Sequence, residues 1–233
     1  MNKKINSFFE KIHILQNIYL KNKYFFKKKS YALDGEDIAI KKYFKTENAG
    51  FFVDVGCYHP IQYNNTMLLY KKGWNGINID ISEFSIKLFN FCRPRDLNLN
   101  LAISNKNAII EFYYQKKISL LSTIKKDQSD LVHQGKVMKK KILSQKLTKV
   151  LDNTKYKNKK IDFLNIDTEG ADLDVLESLD FARYSPRLVC VEIIPENLDI
   201  NKMDIGKSKI FDFFKSKNYK RIWFGTWSHI FAK

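Results

Sequence analysis

The segment Phe51-Phe-Val-Asp-Val55 is an apolar run too short for a helix, and it stops at Gly56. The same punctuation recurs downstream. Residues 77–80 end on Asp80, residues 97–103 carry Asn100 and Ala102, and residues 161–166 run into Asp167-Thr-Glu169-Gly170. Stretches with helical spacing lie between these runs, at about 66–72, at 82–90 with Ser82 as N-cap, and at 171–179. A further apolar run spans 188–193. Residues 210–216 read as a helix, and 221–224 with 229–232 as a terminal strand pair, while 109–114 reads as an extra hairpin-like strand. Alternating strands and helices of this kind specify an α/β fold. It is Rossmann-like and doubly wound, with a mostly parallel seven-stranded sheet, helices on both faces and an antiparallel edge.

The 233 residues suit one domain with a substantial core, and 44% hydrophobic with 14% aromatic content excludes wholesale disorder. Residues 1–30 form a basic N-terminal helical segment and 31–233 the main domain, with a polar, lysine-rich insertion or lid at about 115–160. In the N-terminal segment Phe8, Phe9, Ile12, Leu15, Ile18 and Tyr19 recur at spacings near three and four. Such a stripe is expected to pack on the core, the alternative being a peripheral membrane or partner contact. Three widely spaced cysteines, Cys57, Cys92 and Cys190, include no CxxC pair. They point to a reduced compartment without structural zinc. No apolar run approaches the roughly 20 residues of a membrane span, and no secretory h-region is present. A cytoplasmic location is therefore expected. The net charge of +16 allows a nucleic-acid, anionic-surface or phosphorylated partner. Much of the lysine falls in runs such as Lys27-Lys28-Lys29 and Lys139-Lys140-Lys141, read as termini or loops, and general lysine-rich usage explains the excess as well.

In an open α/β sheet, ligands bind beyond the carboxyl ends of the strands, and each polar cluster of this chain falls there. Gly56 would let a cofactor approach the backbone closely. The G-x-G-x-x-G fingerprint is absent, so a dinucleotide pyrophosphate is poorly served and a nicotinamide oxidoreductase disfavoured. Asp80 follows Asp54 at an offset suited to the acid that accepts ribose hydroxyl hydrogen bonds. Together the two clusters favour a nucleoside cofactor.

Asp34-Gly-Glu-Asp37, Phe52-Val-Asp-Val-Gly56, Asn64-Asn-Thr66, Lys72-Gly-Trp-Asn-Gly-Ile-Asn-Ile-Asp80 and Asp162-Phe-Leu-Asn-Ile-Asp-Thr-Glu-Gly170 together resemble the FkbM-type methyltransferases. The resemblance runs from about Tyr31 to Lys233, and its last motif is the most specific. It implies S-adenosylmethionine as cofactor, with Asp54 and Gly56 at the methionine part, Asp80 at the ribose and residues 100–103, including Asn100 and Ala102, at the adenine. Cys57, Tyr58, Thr66, Ile81 and Asp167 join the implied cofactor set. The sequence departs from the family's common Gly-Ala-Asn at Gly56-Cys57-Tyr58.

The implied reaction is an in-line methyl transfer to an oxygen, which needs alignment of donor and acceptor and a base for the hydroxyl proton. Asp167, Glu169 and His59 are the candidates. Each has a structural alternative, His59 as a loop histidine and Glu169 as a helix N-terminal carboxylate. No metal is expected, because Gly170 sits at the wrong place for a calcium loop and dedicated oxygen cages need more ligands. The acceptor expected is a sugar or glycan-precursor hydroxyl, possibly phosphorylated or nucleotide-linked. Two other readings are an RNA ribose methyltransferase and a non-catalytic Rossmann-like binding protein. Base N-methylation is disfavoured because Asp167-Thr-Glu-Gly stands where an Asn/Asp-Pro-Pro-aromatic loop is required.

Overall fold

The computed structural model describes residues 3–116, 122–193 and 208–233. Its main sheet has seven strands: β1 (Phe51–Val55), β2 (Asn75–Asp80), β3 (Leu97–Asn100), β7 (Phe163–Ile166), β8 (Leu188–Glu192), β9 (Lys220–Phe224) and β10 (Ser228–Ala232), in the order β3-β2-β1-β7-β8-β10-β9. The first five run parallel, and the last two form an antiparallel edge in which β10 pairs with both β8 and β9. This is the doubly wound sheet expected from the sequence.

The continuous apolar character of β1 follows from its position. Every one of its residues is buried, because helices cover both faces. Phe51, Val53 and Val55 point into a core built with α6 (Leu147–Asp152), α7 (Asp172–Glu177), α8 (Phe181–Tyr184) and α9 (Lys209–Ser216). On the other face Phe52 packs with Ile40 and Phe44, from and just after α2 (Glu36–Tyr43), and with Leu69 of α3 (Met67–Lys71) and Trp74. Ser82 caps α4 (Glu83–Cys92) by accepting a hydrogen bond from Ser85 N at 3.2 Å. The helices α1 (Lys3–Leu15) and a π-helical turn (Gln16–Lys21) precede this body.

The structure corrects three local expectations. Residues 97–103 do not make one strand. The chain leaves the main sheet after Asn100, whose side chain donates to the Asp80 and Ile81 carbonyls at 2.9 and 3.0 Å. Next, β4 (Ala102–Ile103) joins β5 (Ala108–Tyr114) and β6 (Met138–Gln145) in a second sheet, ordered β4-β6-β5. Lys139-Lys140-Lys141 therefore lies in a strand, not a loop. Its lysines stay exposed while Ile142 and Ser144 turn inward. Finally, the N-terminal stripe is divided, with Ile18 buried but Phe8, Phe9, Ile12 and Leu15 exposed.

Within 115–160, residues 117–121 lie outside the described residues. The remainder supplies α5 (Lys126–Val132), β6 and α6, and Leu147, Val150 and Leu151 enter the main core.

Candidate active site

The order of strands reverses between β1 and β7, so a crevice opens beyond their carboxyl ends. Its floor is knitted by backbone hydrogen bonds, from Gly56 N and Cys57 N to Ile79 O at 2.9 and 3.2 Å and from Asp167 N to Val55 O at 3.0 Å. Gly56 has φ +76°, and a Cβ there would fall on the Asp167 carbonyl oxygen. The glycine is thus required by the approach of the β1 and β7 loops to each other, rather than only by a cofactor.

Above this floor a cleft of about 590 Å³, counting its open mouth, is lined by Gly56, Tyr58, Asp80, Ile81, Asp167 and Glu169 together with an apolar wall of Leu101, Ala102, Ile103 and Ile124. The Asp80 carboxylate accepts from Tyr58 N and Ser82 N, both at 2.7 Å. Burial pushes its pKa up to about 7 despite those hydrogen bonds. Each oxygen keeps acceptor capacity for a hydroxyl in the cleft. Asn100 fixes the Asp80–Ile81 backbone from outside and does not line the cleft.

Three residues expected at the cofactor do not line this cleft and lie beneath its floor. Asp54 is buried and accepts from Thr66 Oγ1 at 2.8 Å and Asn165 Nδ2 at 2.9 Å. Thr66 in turn accepts from the buried Arg93 at 2.7 Å, and Arg93 also donates to Asn64 Oδ1 at 2.5 Å and to Pro60 O at 3.0 Å. This network braces the β1 loop from below, with the Arg93 guanidinium offsetting part of the burial that raises Asp54. The Cys57 side chain packs with Ile86 and Phe89 in the core, and burial drives its thiol well above the ordinary range. Alternation along β1 turns Asp54 to the face opposite Val53 and Val55, whereas Cys57 and Thr66 lie in loops and are placed by what packs against them.

At the β7–β8 side, Asp167, Glu169 and Glu192 bring carboxylate oxygens within 4.8 Å of one another. Among the described residues this is the only such group, and it could share protons or hold a divalent cation. Removal from water raises all three, Asp167 to about 8 and Glu169 to about 9, and neighbouring negative charge adds to it, from Asp172 on Asp167, from Asp167 and Asp172 on Glu169, and from Asp167, Glu169 and Asp172 on Glu192. Glu192 Oε2 finds no hydrogen-bond partner among the described residues. The loop that presents the pair is shaped by Asp172, which accepts from Thr168 N at 3.3 Å and Gly170 N at 3.2 Å. Glu169 itself adopts φ +51°, a conformation that costs a non-glycine residue about 1 kcal/mol or more. Thr123 Oγ1 donates to its carbonyl at 2.8 Å and steadies it.

His59 does not join this group. It is 1% exposed, and its Nδ1 accepts from Ile61 N and Gln62 N at 3.1 Å each. The proton assigned to Nε2 then points at Asn17 Oδ1, 2.8 Å away. Burial lowers its pKa to about 3. Both nitrogens are committed, so His59 anchors the N-terminal segment and is not placed to act as a base.

Glu192 and the wall residues Ser122 and Ile124 were missed by sequence reasoning. Glu192 sits at the carboxyl end of β8, so the rule that selected Asp80 and Asp167 would have selected it too. Ser122 and Ile124 arrive from the 115–160 stretch and carry no such signal.

Residues 54–220 match the family model described as the methyltransferase FkbM domain. No protein in the curated set matches the sequence. Solved structures similar to this one include a TehB-like SAM-dependent methyltransferase from Corynebacterium glutamicum, at 9% identity and TM-score 0.44 over 95% of each chain. Another is a METTL16 methyltransferase domain, at 9% identity and TM-score 0.44 over 84% of this chain and 65% of that one.

Proposed function

The chain belongs to the FkbM-domain methyltransferases, enzymes that use S-adenosylmethionine, and on that footing we propose that it methylates a hydroxyl oxygen of a sugar or glycan precursor. The residues present fit the cofactor. Asp80 offers acceptors for ribose hydroxyls, Ile81, Leu101, Ala102 and Ile103 offer an apolar slot for adenine, and Tyr58 and the Gly56 turn border the remaining space. Bound there, the cofactor supplies an electrophilic sulfonium methyl group.

The protein's share of the chemistry is to orient the acceptor and take its proton. A carboxylate of ordinary pKa is a weak base towards a hydroxyl, whereas one raised toward neutrality or beyond is better matched. Asp167 and Glu169, crowded against Glu192 on the wall of the same cleft, are raised in this way. That convergence is the observation that carries the reading. The high positive charge of the chain favours an acceptor bearing phosphate or a nucleotide.

The test is calorimetry with S-adenosylmethionine, followed by labelled methyl transfer to glycan-precursor fractions. Glu169→Gln is expected to bind the cofactor and transfer at a rate reduced by roughly 10²-fold or more. Absence of cofactor binding by the intact protein overturns the reading. Label appearing in RNA rather than glycan moves it to ribose methylation.

A further inference from the structure

The N-terminal helix is mounted with its polar side inward. Glu10 pairs with Lys87 of α4 at 2.5 Å, His13 stacks on Phe84 with ring centroids 4.8 Å apart, and Asn17 engages His59 at 2.8 Å. These positions, spaced three, four and seven apart, form one helical face. Phe8, Ile12 and Leu15 occupy the opposite face and are 62%, 43% and 43% exposed. An amphipathic helix of a water-soluble body ordinarily does the reverse.

The segment that follows continues the exposed apolar surface. Leu20, Phe25 and Phe26 are 73%, 77% and 67% exposed, and Phe25 stacks on Tyr19 at 4.6 Å. Cations border it. Residues 1–29 contain eight lysines and one acid, Glu10, which is already held by Lys87. Lys11, Lys21, Lys23, Lys27 and Lys29 are exposed.

From this arrangement we infer that the outward face of the N-terminal segment docks on an anionic lipid surface. Exposed phenylalanines and leucines supply the apolar face that enters the headgroup boundary, and the lysines meet the anionic headgroups. A second copy of the chain is the poorer occupant, since it would oppose the same lysines to one another. Docking in this pose also has a consequence for the site. The groove between this segment and the Tyr58–His59 loop is lined by His13, Asn17, Lys21, Tyr58 and Gln62. It shares Tyr58 with the cleft, so the segment held on the surface is one that borders the site.

The experiment is co-sedimentation of the full chain with vesicles of phosphatidylcholine alone or mixed with phosphatidylglycerol, over a salt series. Binding is expected only to the mixed vesicles and is expected to fall as salt rises. The variant F8S/F9S and the variant F25S/F26S should each lose about tenfold or more in partitioning, while calorimetric binding of S-adenosylmethionine stays at the parent level. The cofactor measurement also reports folding, because none of the four phenylalanines lines the cleft. Equal partitioning of parent and variants, no binding to mixed vesicles, or a parent dimer that F8S/F9S dissociates would each overturn the proposal. The last outcome would assign the face to a second copy.

Discussion

At the β1–β2 end of the crevice, Asp80 accepts two backbone N–H groups and Asp54 is braced by Thr66, Asn165 and, through Thr66, Arg93. At the β7–β8 end, Asp167, Glu169 and Glu192 crowd within 4.8 Å, one oxygen of Glu192 has no partner among the described residues, and Glu169 sits at positive φ. The first end is a satisfied polar network, which rigidifies a binding surface. The second resembles sites where raised carboxylates hold or accept protons. The two sides of the crevice thus differ in that donors reach Asp54 and Asp80 and leave an oxygen of Glu192 without one among the described residues; under the proposed function this divides binding from proton handling.

Substitutions can break either half. Gly56→Ala should have the largest effect, since the new Cβ meets the Asp167 backbone rather than a flexible side chain and the residue is held at φ +76°. A loss of about 3 kcal/mol in denaturant unfolding is expected, with cofactor binding lost beside it. Asp80→Asn should weaken S-adenosylmethionine by roughly 10- to 100-fold in calorimetry, the value of a charge-assisted hydrogen bond.

The crowded half should show itself in pH. Asp80, Asp167 and Glu169 have folded-state pKa values raised to about 7, about 8 and about 9. In that range the folded state binds more protons than the unfolded one, so these groups favour folding below the ordinary carboxylate pKa. Their contribution is lost as pH rises through the folded values. The ligand-free protein should melt at a higher temperature near pH 5 than near pH 8.5. Glu192→Gln should raise the melting temperature at the higher pH and flatten the dependence; an unchanged slope would mean the carboxylates do not repel one another. Thr123→Val, which removes one hydrogen bond to the Glu169 carbonyl, should have the smallest effect. A stability loss of about 1 kcal/mol is expected, with transfer slowed more than cofactor binding.

The strands, their order along the chain and the acids at their ends were legible because burial on both faces forces an apolar run and a polar residue marks where it stops. Asp80, Asp167 and Glu169 were found this way and line one cleft. Thr66 and Cys57 were not distinguishable from cleft residues, because which face a loop side chain takes depends on what packs there. His59 offered a base by residue type alone, and the Asn17 that occupies it comes from 42 positions earlier.

The sequence by itself determined the α/β class, the parallel core and the crevice that must follow from it, since periodicity and strand ends are local properties. It also carried the family's motifs. Only the tertiary structure decided that Glu192 completes a carboxylate trio, that the 115–160 stretch lends Ser122 and Ile124 to the wall of the cleft, and that the N-terminal helix turns its apolar face outward. Each of these depends on contacts between residues far apart in the chain, and no local pattern encodes the direction in which such residues meet.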